Sequence, residues 1–293
     1  MTLHYHMPLY RPPSEGDNLI IQVTLGCSFN QCSFCSMYRE KQYSQRPRAA
    51  VFADIGRAAH SWPDARRVFL ADGDALSLPT EQLLEILDAL HAALPNLARV
   101  SCYATPANLL HKRMAELVLL KERGLSLLYL GIESGSNLIL KKITKGASRS
   151  GIGKAMHKAH DAGIKVSATV ILGLVGKHRW QEHIDGTIAL LNEAPLTYLS
   201  TLQLYLEDDI VAEFQSKFRE PFEMPDDRAM LLEQQRLLSG LNPPGPVIFR
   251  SNHASNALAL AGNLPRDRER LLTQIECALA GESALRPWYL RGM

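Results

Sequence analysis

Leu19-Ile20-Ile21-Gln22-Val23-Thr24-Leu25-Gly26-Cys27-Ser28-Phe29-Asn30-Gln31-Cys32-Ser33-Phe34-Cys35 is an apolar, strand-like run that empties into a loop carrying three cysteines within nine residues. Thiolates so close in sequence can converge on one soft centre, and three ligands leave one coordination position open. A disulfide staple fits poorly. The chain has five cysteines in 293 residues, starts with a polar, proline-containing stretch rather than a secretory leader, and is long enough to bury a large core unaided. Structural zinc usually takes four ligands in two knuckles; no second Cys-x-x-Cys occurs, and His4, His6 and His60 do not stand at finger spacing. Exposed vicinal thiols without a metal would oxidise in air. An oxygen-sensitive iron–sulfur cluster is the best physical fit to this loop.

Downstream, strand-like runs recur at Val68 to Ala71, Val100 to Ala104, Leu127 to Ile132, Val166 to Leu172 and Leu199 to Leu206, each separated from the next by a segment of helical period. One of these segments opens at Thr80 and carries Leu83, Leu84, Leu87, Leu90 and Leu94. With Pro79 before it and Pro95 after it, the pattern predicts a capped amphipathic helix. Six alternating units predict parallel strands joined by right-handed crossovers, hence an α/β fold of the partial (β/α)6 TIM-type barrel class. Function in such barrels gathers at the carboxyl ends of the strands. The cysteine loop, Asp74, Glu133 and the glycines after Leu172 all follow strand-like runs.

The cysteine loop, with an aromatic residue immediately before its last cysteine, resembles that of the radical S-adenosylmethionine (SAM) superfamily. The resemblance implies a [4Fe-4S] cluster held by Cys27, Cys32 and Cys35, with the remaining iron chelated by the amino and carboxylate groups of SAM. The commonest spacing in the family is Cys-x3-Cys-x2-Cys, whereas four residues separate Cys27 from Cys32 here. Phe69-Leu70-Ala71-Asp72-Gly73-Asp74 occupies the place of the family's Gly-Gly-Glu motif, which receives the cofactor's amino group. By that likeness Asp72, Gly73 and Asp74 contact the cofactor, with Asp74 in place of the glutamate and Asp72 in place of a glycine. Backbone carbonyls can accept from an ammonium whatever the side chain. Leu130-Gly131-Ile132-Glu133-Ser134-Gly135-Ser136, followed by Leu140-Lys141-Lys142-Ile143-Thr144-Lys145-Gly146, is similar to a string in many members and implies Glu133 and Ser134 near the cofactor's ribose or carboxylate. Val170-Ile171-Leu172-Gly173-Leu174-Val175-Gly176 resembles the fifth-strand segment, implying that Leu172 and Gly173 pack the adenine. The likeness covers roughly residues 10 to 210.

It also implies a reaction. One electron from an external donor of flavodoxin or ferredoxin type would pass through the cluster, cleave SAM to methionine and a 5′-deoxyadenosyl radical, and lead to hydrogen abstraction from a substrate. A small molecule is the expected substrate, because the chain carries no cobalamin-domain-sized extension, cysteine-rich tail or RNA-binding appendage. A coproporphyrinogen-oxidase-like decarboxylation and tRNA modification are the alternatives among enzymes. From another class, the chain could be a non-catalytic iron–sulfur or zinc protein that binds a partner.

Net charge is only +2 and basic residues are dispersed, so no nucleic-acid partner is expected. No apolar stretch is long enough for a bilayer, and a cytoplasmic location is expected. Residues 1–210 read as the catalytic core and 211–293 as a helical cap. Within that cap, helices are expected at Asp226 to Leu241 and Arg266 to Leu279, separated by the loop Asn242-Pro243-Pro244-Gly245-Pro246. Phe249-Arg250-Ser251-Asn252-His253-Ala254-Ser255-Asn256 either caps the next helix or touches substrate. Lys177-His178-Arg179-Trp180-Gln181-Glu182-His183 is either a solvated helix start or a source of proton transfer near neutral pH. Arg11-Pro12-Pro13-Ser14-Glu15 is expected to close the open side of the barrel, while Cys102 and Cys277 read as small core residues.

Overall fold

The computed structural model describes residues 3–218 and 220–291. The outermost ends of the two expected segments, residues 1–2 and 292–293, lie outside the described residues. The strands are β1 (Leu19–Gln22), β2 (Thr24–Leu25), β3 (Ser44–Gln45), β4 (Arg67–Ala71), β5 (Arg99–Ala104), β6 (Leu125–Glu133), β7 (Lys165–Leu172), β8 (Tyr198–Gln203), β9 (Val247–Ser251) and β10 (Leu260–Leu264). The helices are α1 (Arg48–Ser61), α2 (Thr80–Ala93), α3 (Pro106–His111), α4 (Met114–Glu122), α5 (Asn137–Lys142), α6 (Arg149–Asp161), α7 (Trp180–Glu193), α8 (Asp208–Ser216), α9 (Asp227–Gly240) and α10 (Arg268–Leu279). All six strand-like runs of the sequence form strands with a helix before the next run, the first being split into β1 and β2 with β3 pairing back on β2 before α1; this is the α/β alternation of a partial (β/α)6 barrel.

The chain divides into two compact units. The first takes residues up to Asn30, Met37–Leu130 and Lys158–Val166; the second takes Gln31–Ser36, Gly131–His157 and the chain from Ser167 onward. In the first, β1, β4, β5 and β6 pair in parallel in that order. Parallel strands covered on their faces need apolar side chains on both sides, and Val68, Phe69, Leu70 and Ala71 of β4 are all fully buried. The helix predicted at Thr80 is α2, and it buries Leu83, Ile86, Leu87 and Leu90. Each such side chain contributes about 1.5–3 kcal/mol. Its cap differs from expectation: Pro79 holds the N-cap position, Thr80 is the first helical residue, and the Thr80 hydroxyl donates to Glu116 at 2.8 Å.

The Arg11 to Glu15 stretch ends in a short 3-10 turn whose Glu15 is fully buried. Its carboxylate accepts from Arg99 at 2.7 Å and from Ser101 at 2.9 Å, and Tyr129 also donates to it. The stretch is therefore riveted to β5 and β6 by an ion pair with β5.

In the second unit β7, β8 and β9 run parallel and β10 returns antiparallel to β9. The two tail helices appear as α9 and α10, and the tail also supplies two strands. Phe249 to Ser251 lie in β9 rather than in a helix-capping loop. Asn256 accepts from the Gln203 amide at 2.9 Å and donates to the Thr201 carbonyl at 2.8 Å and to Ser251 at 2.9 Å, so this segment braces β8. Among the described residues no helix is long and apolar enough to cross a membrane.

Candidate cluster and cofactor site

Among the described residues no disulfide forms, and Cys27, Cys32 and Cys35 are half-buried. Cys102 is fully buried in β5, where burial pushes its thiol well up, as befits a small core residue. The loop segment of the second unit closes one turn on itself and is anchored at two points. The Ser33 amide donates to the Ile143 carbonyl at 3.0 Å, the Cys35 amide to the Cys32 carbonyl at 3.1 Å, and Phe34 packs on a core that includes Ile139, Ile143, Leu174 and Phe214. Phe34 thus acts as an apolar anchor between the last two cysteines.

In the first unit the strand end at Ala71 leads into Asp72-Gly73-Asp74, where the two acids have different surroundings. Asp72 is fully buried and already neutralised: Lys41 reaches its carboxylate at 2.9 Å and the Gly26 amide donates at 3.1 Å. This ties the residue before Cys27 to the end of β4. The Tyr38 hydroxyl faces this carboxylate, and burial together with Asp72 pushes the Tyr38 phenol well up. Gly73 must be glycine because a Cβ there would collide with the Tyr38 ring.

Asp74 is also fully buried, but its hydrogen-bond donors are the neutral Ser28 and Asn108. Burial pushes its carboxyl up to about 6, with those two donors and the more distant Lys112 pulling the other way. A buried carboxylate short of positive charge is a receptor for a cation. Of the two acids, Asp74 is therefore the one suited to an ammonium group.

In the second unit the end of β6 is shaped by backbone strain. Glu133 has φ +59, a left-handed conformation costing a non-glycine residue roughly 1–2 kcal/mol. Its carboxylate folds back over Gly131, where a Cβ would collide with it, and takes the Lys145 ammonium at 2.8 Å. Lys145 is held protonated although burial opposes its charge, because Glu133 and the thiolates of Cys32 and Cys35 all favour the cation. The sequence string that includes Lys145 was recognisable, but its pairing with Glu133 was not.

Ser134 is fully buried. Its hydroxyl meets His183 Nδ1 at 2.8 Å, while His183 Nε2 meets the Ile171 carbonyl at 2.9 Å. A carbonyl can only accept, so Nε2 carries the proton and Nδ1 accepts from Ser134. Burial pushes His183 down to about 4, which keeps it neutral. The expected solvated helix start is therefore corrected for this residue: His183 is a buried brace on α7, because the first turn of the helix faces inward there. The Ser134 hydroxyl also accepts from the Ser136 amide at 3.1 Å, leaving it a positioning role at this strand end.

Leu172 closes β7 and is buried. Gly173, at φ +76, donates its amide to Glu233 at 2.8 Å. Burial pushes the Glu233 carboxyl up to about 8, so it is a neutral acid near pH 7. Nothing in the periodicity of α9 distinguishes this glutamate from a solvated one.

The donor chemistry fits a three-thiolate cluster. Three free cysteines share one short loop in the sequence; within the second unit the turn that carries Lys145 is tied to the Cys32–Cys35 segment, and within the first unit Asp74 is a buried carboxylate bonded only by neutral donors. Among the described residues no three His, Cys, Asp or Glu side chains are gathered closely enough to enclose a metal ion.

Comparison with known proteins bears on the same loop. A family model described as the Radical SAM superfamily matches residues 21–191, more than half of the chain. The heme chaperone HemW of Bacillus subtilis is 25% identical over 150 residues, covering 51% of this chain and 39% of that protein. The chain thus spans about two fifths of the curated relative it matches. Among solved structures, coproporphyrinogen III oxidase (HemN) from Escherichia coli has a TM-score of 0.57 at 15% identity, over 76% of this chain and 51% of its own. Methylornithine synthase (PylB) has a TM-score of 0.52 at 16% identity, over 92% of this chain and 83% of its own. These structural likenesses concern the fold, but the family match contains the whole cysteine loop together with Asp74, Glu133 and Gly173, and on that match this chain belongs to the radical SAM superfamily.

Proposed function

We propose that the protein is a radical SAM enzyme that holds a [4Fe-4S] cluster through Cys27, Cys32 and Cys35 and abstracts hydrogen from a small-molecule substrate. The observation that carries this reading is the inclusion of the three-cysteine loop in the family match. When bound and reduced, the cluster and SAM supply a carbon-centred radical able to break an unactivated C–H bond. The protein's contribution is to bind, orient and shield.

Asp74 accepts from the cofactor's amino group in this reading, with Ser28 and Asn108 fixing its oxygens. Asp72 and Gly73 present backbone to the cofactor, while the Lys41 pair locks Asp72 to the start of the cysteine loop. Glu133 shapes the end of β6 beside the cofactor, and Ser134 sets that turn through His183. Leu172 and Gly173 offer an apolar side chain and a turned backbone to the adenine. Residues 1–210 form the core that does this work, and 211–293 supply a wall that includes Glu233. The electron comes from an external flavodoxin- or ferredoxin-type donor.

A second reading has one observation in its favour: the curated relative is named a heme chaperone. In that reading the chain keeps its cluster and binds a cofactor for delivery without turnover. Anaerobic reconstitution tests what both readings share, and about four irons per chain are expected. Stoichiometric zinc, with no iron taken up, would sink both. Haem binding without SAM cleavage would favour delivery over catalysis.

A further inference from the structure

The Glu133 to Lys145 pair closes a turn that is hydrogen-bonded to the cysteine loop next to Cys32. Its side chains are only 7% and 13% exposed, so bulk solvent screens the charges little. Two left-handed residues build it: Glu133 at φ +59, and Thr144 at φ +54 immediately before Lys145. A β-branched residue is rarely found in that conformation, and it persists only where the surroundings impose it. The turn is also stitched to the cysteine loop, because Ser33, next to Cys32, donates its amide to the Ile143 carbonyl at 3.0 Å. Gly131 leaves room for the arrangement, since a Cβ there would stand 3.1 Å from Lys145 Nζ as well as collide with the Glu133 carboxylate.

We propose that Lys145 is a positioning residue that raises the cluster's reduction potential: its buried positive charge, held by Glu133 on the turn that Ser33 ties to the cysteine loop, stabilises the reduced cluster over the oxidised one. The inference rests on the reading that those cysteines hold the cluster. Reduction adds one electron, supplied by a low-potential one-electron donor, and no bond to Lys145 forms or breaks. A fixed cation beside the ligands favours the more negative state, and a carboxylate on its far side offsets part of that effect. Removing the cation and removing its anion must therefore move the potential in opposite directions, which a purely structural pair would not do.

The test is a dye-mediated redox titration, followed by electron paramagnetic resonance, of reconstituted wild type, Lys145→Met, Lys145→Arg and Glu133→Gln without SAM. Iron content is measured on each sample. At a fixed applied potential, Lys145→Met is expected to lower the reduced-to-oxidised ratio about tenfold, a shift of about 59 mV to more negative potential for a one-electron couple. Glu133→Gln should shift it to more positive potential, and Lys145→Arg should stay near wild type. If Lys145→Met alone loses iron, the double variant Lys145→Met/Glu133→Gln carries the test, because it leaves no buried unpaired carboxylate; its potential should also fall below wild type. A Lys145→Met or double variant with full iron and an unshifted potential overturns the inference, as do single variants that shift the same way. Wild-type protein that takes up no iron overturns the proposed function itself.

Discussion

Asp74→Asn separates the charge of this carboxylate from its shape. Burial raises the Asp74 carboxyl from 3.8 to about 6, roughly two pH units, or on the order of 3 kcal/mol of unfavourable charge burial at neutral pH. The folded value lies above the unfolded one, so this cost is fully present above about pH 6 and is relieved as the group protonates below it. Asparagine removes the charge but turns an amide NH2 toward donors on Ser28 and Asn108, leaving one buried donor unsatisfied for about 1–3 kcal/mol. The two effects nearly cancel, so stability should stay within about 2 kcal/mol of wild type. Cofactor binding has no such compensation. Loss of a charge-assisted hydrogen bond from the cofactor's amino N–H to the carboxylate costs roughly 1.5–3 kcal/mol, about ten- to over a hundredfold in affinity. Anaerobic calorimetric titration of reconstituted protein with SAM measures this. Wild-type affinity should also fall about tenfold per pH unit below about 6, as the carboxyl becomes protonated, and that dependence should vanish in the variant. Equal affinity for the two proteins, with the same pH profile, would refute the assignment of the amino group to Asp74.

Other outcomes follow from the same geometry. His183→Phe should cost about 2–4 kcal/mol in urea denaturation, because the Ser134 hydroxyl and the Ile171 carbonyl each lose a buried partner. The folded pKa of His183, about 4, lies below its ordinary value of 6.5. Its neutral form therefore contributes fully above pH 6.5, and roughly 3 kcal/mol should drain away as pH falls toward 4 in wild type but not in the variant. Glu233 has the opposite sign, since its carboxyl is raised to about 8. Stability should fall by roughly 4 kcal/mol as pH rises from 4.5 to 8, and Glu233→Gln, which keeps an acceptor for the Gly173 amide, should abolish that slope in pH-dependent denaturation. Phe34→Ala should cost about 2 kcal/mol, less than for a fully buried phenylalanine, and should lower iron retention during gel filtration while the other strands stay folded.

The strands and their order were legible because buried parallel strands leave continuous apolar runs such as Val68 to Ala71, and because each is followed by a helical period. β9 and β10 were not. Val247-Ile248-Phe249-Arg250-Ser251 follows Pro243, Pro244 and Pro246 and leads into Asn252 and His253, so its short apolar stretch is masked by loop-forming neighbours. The cysteines were legible from ligand chemistry alone, and the rest of the candidate site from family likeness. What the sequence could not distinguish was the state of each acid. Asp72 and Asp74 stand two residues apart with the same side chain, yet Lys41 neutralises one and only neutral groups bond the other. Lys145, Glu15, His183 and Glu233 were missed for the same reason: each is buried against a partner 12 to 84 residues away, and a string of letters carries no distance. Gly131 was a usable signal, since a glycine inside a β-strand often marks a close approach.

The most direct test of the account is whether the reconstituted, dithionite-reduced protein cleaves SAM. Product is read by chromatography and mass spectrometry under strict anaerobiosis. The account predicts slow formation of 5′-deoxyadenosine and methionine even without substrate, abolished by Cys27→Ala, Cys32→Ala or Cys35→Ala. A protein that holds about four irons per chain and binds SAM, yet forms no 5′-deoxyadenosine alone or with any lysate fraction, would contradict it.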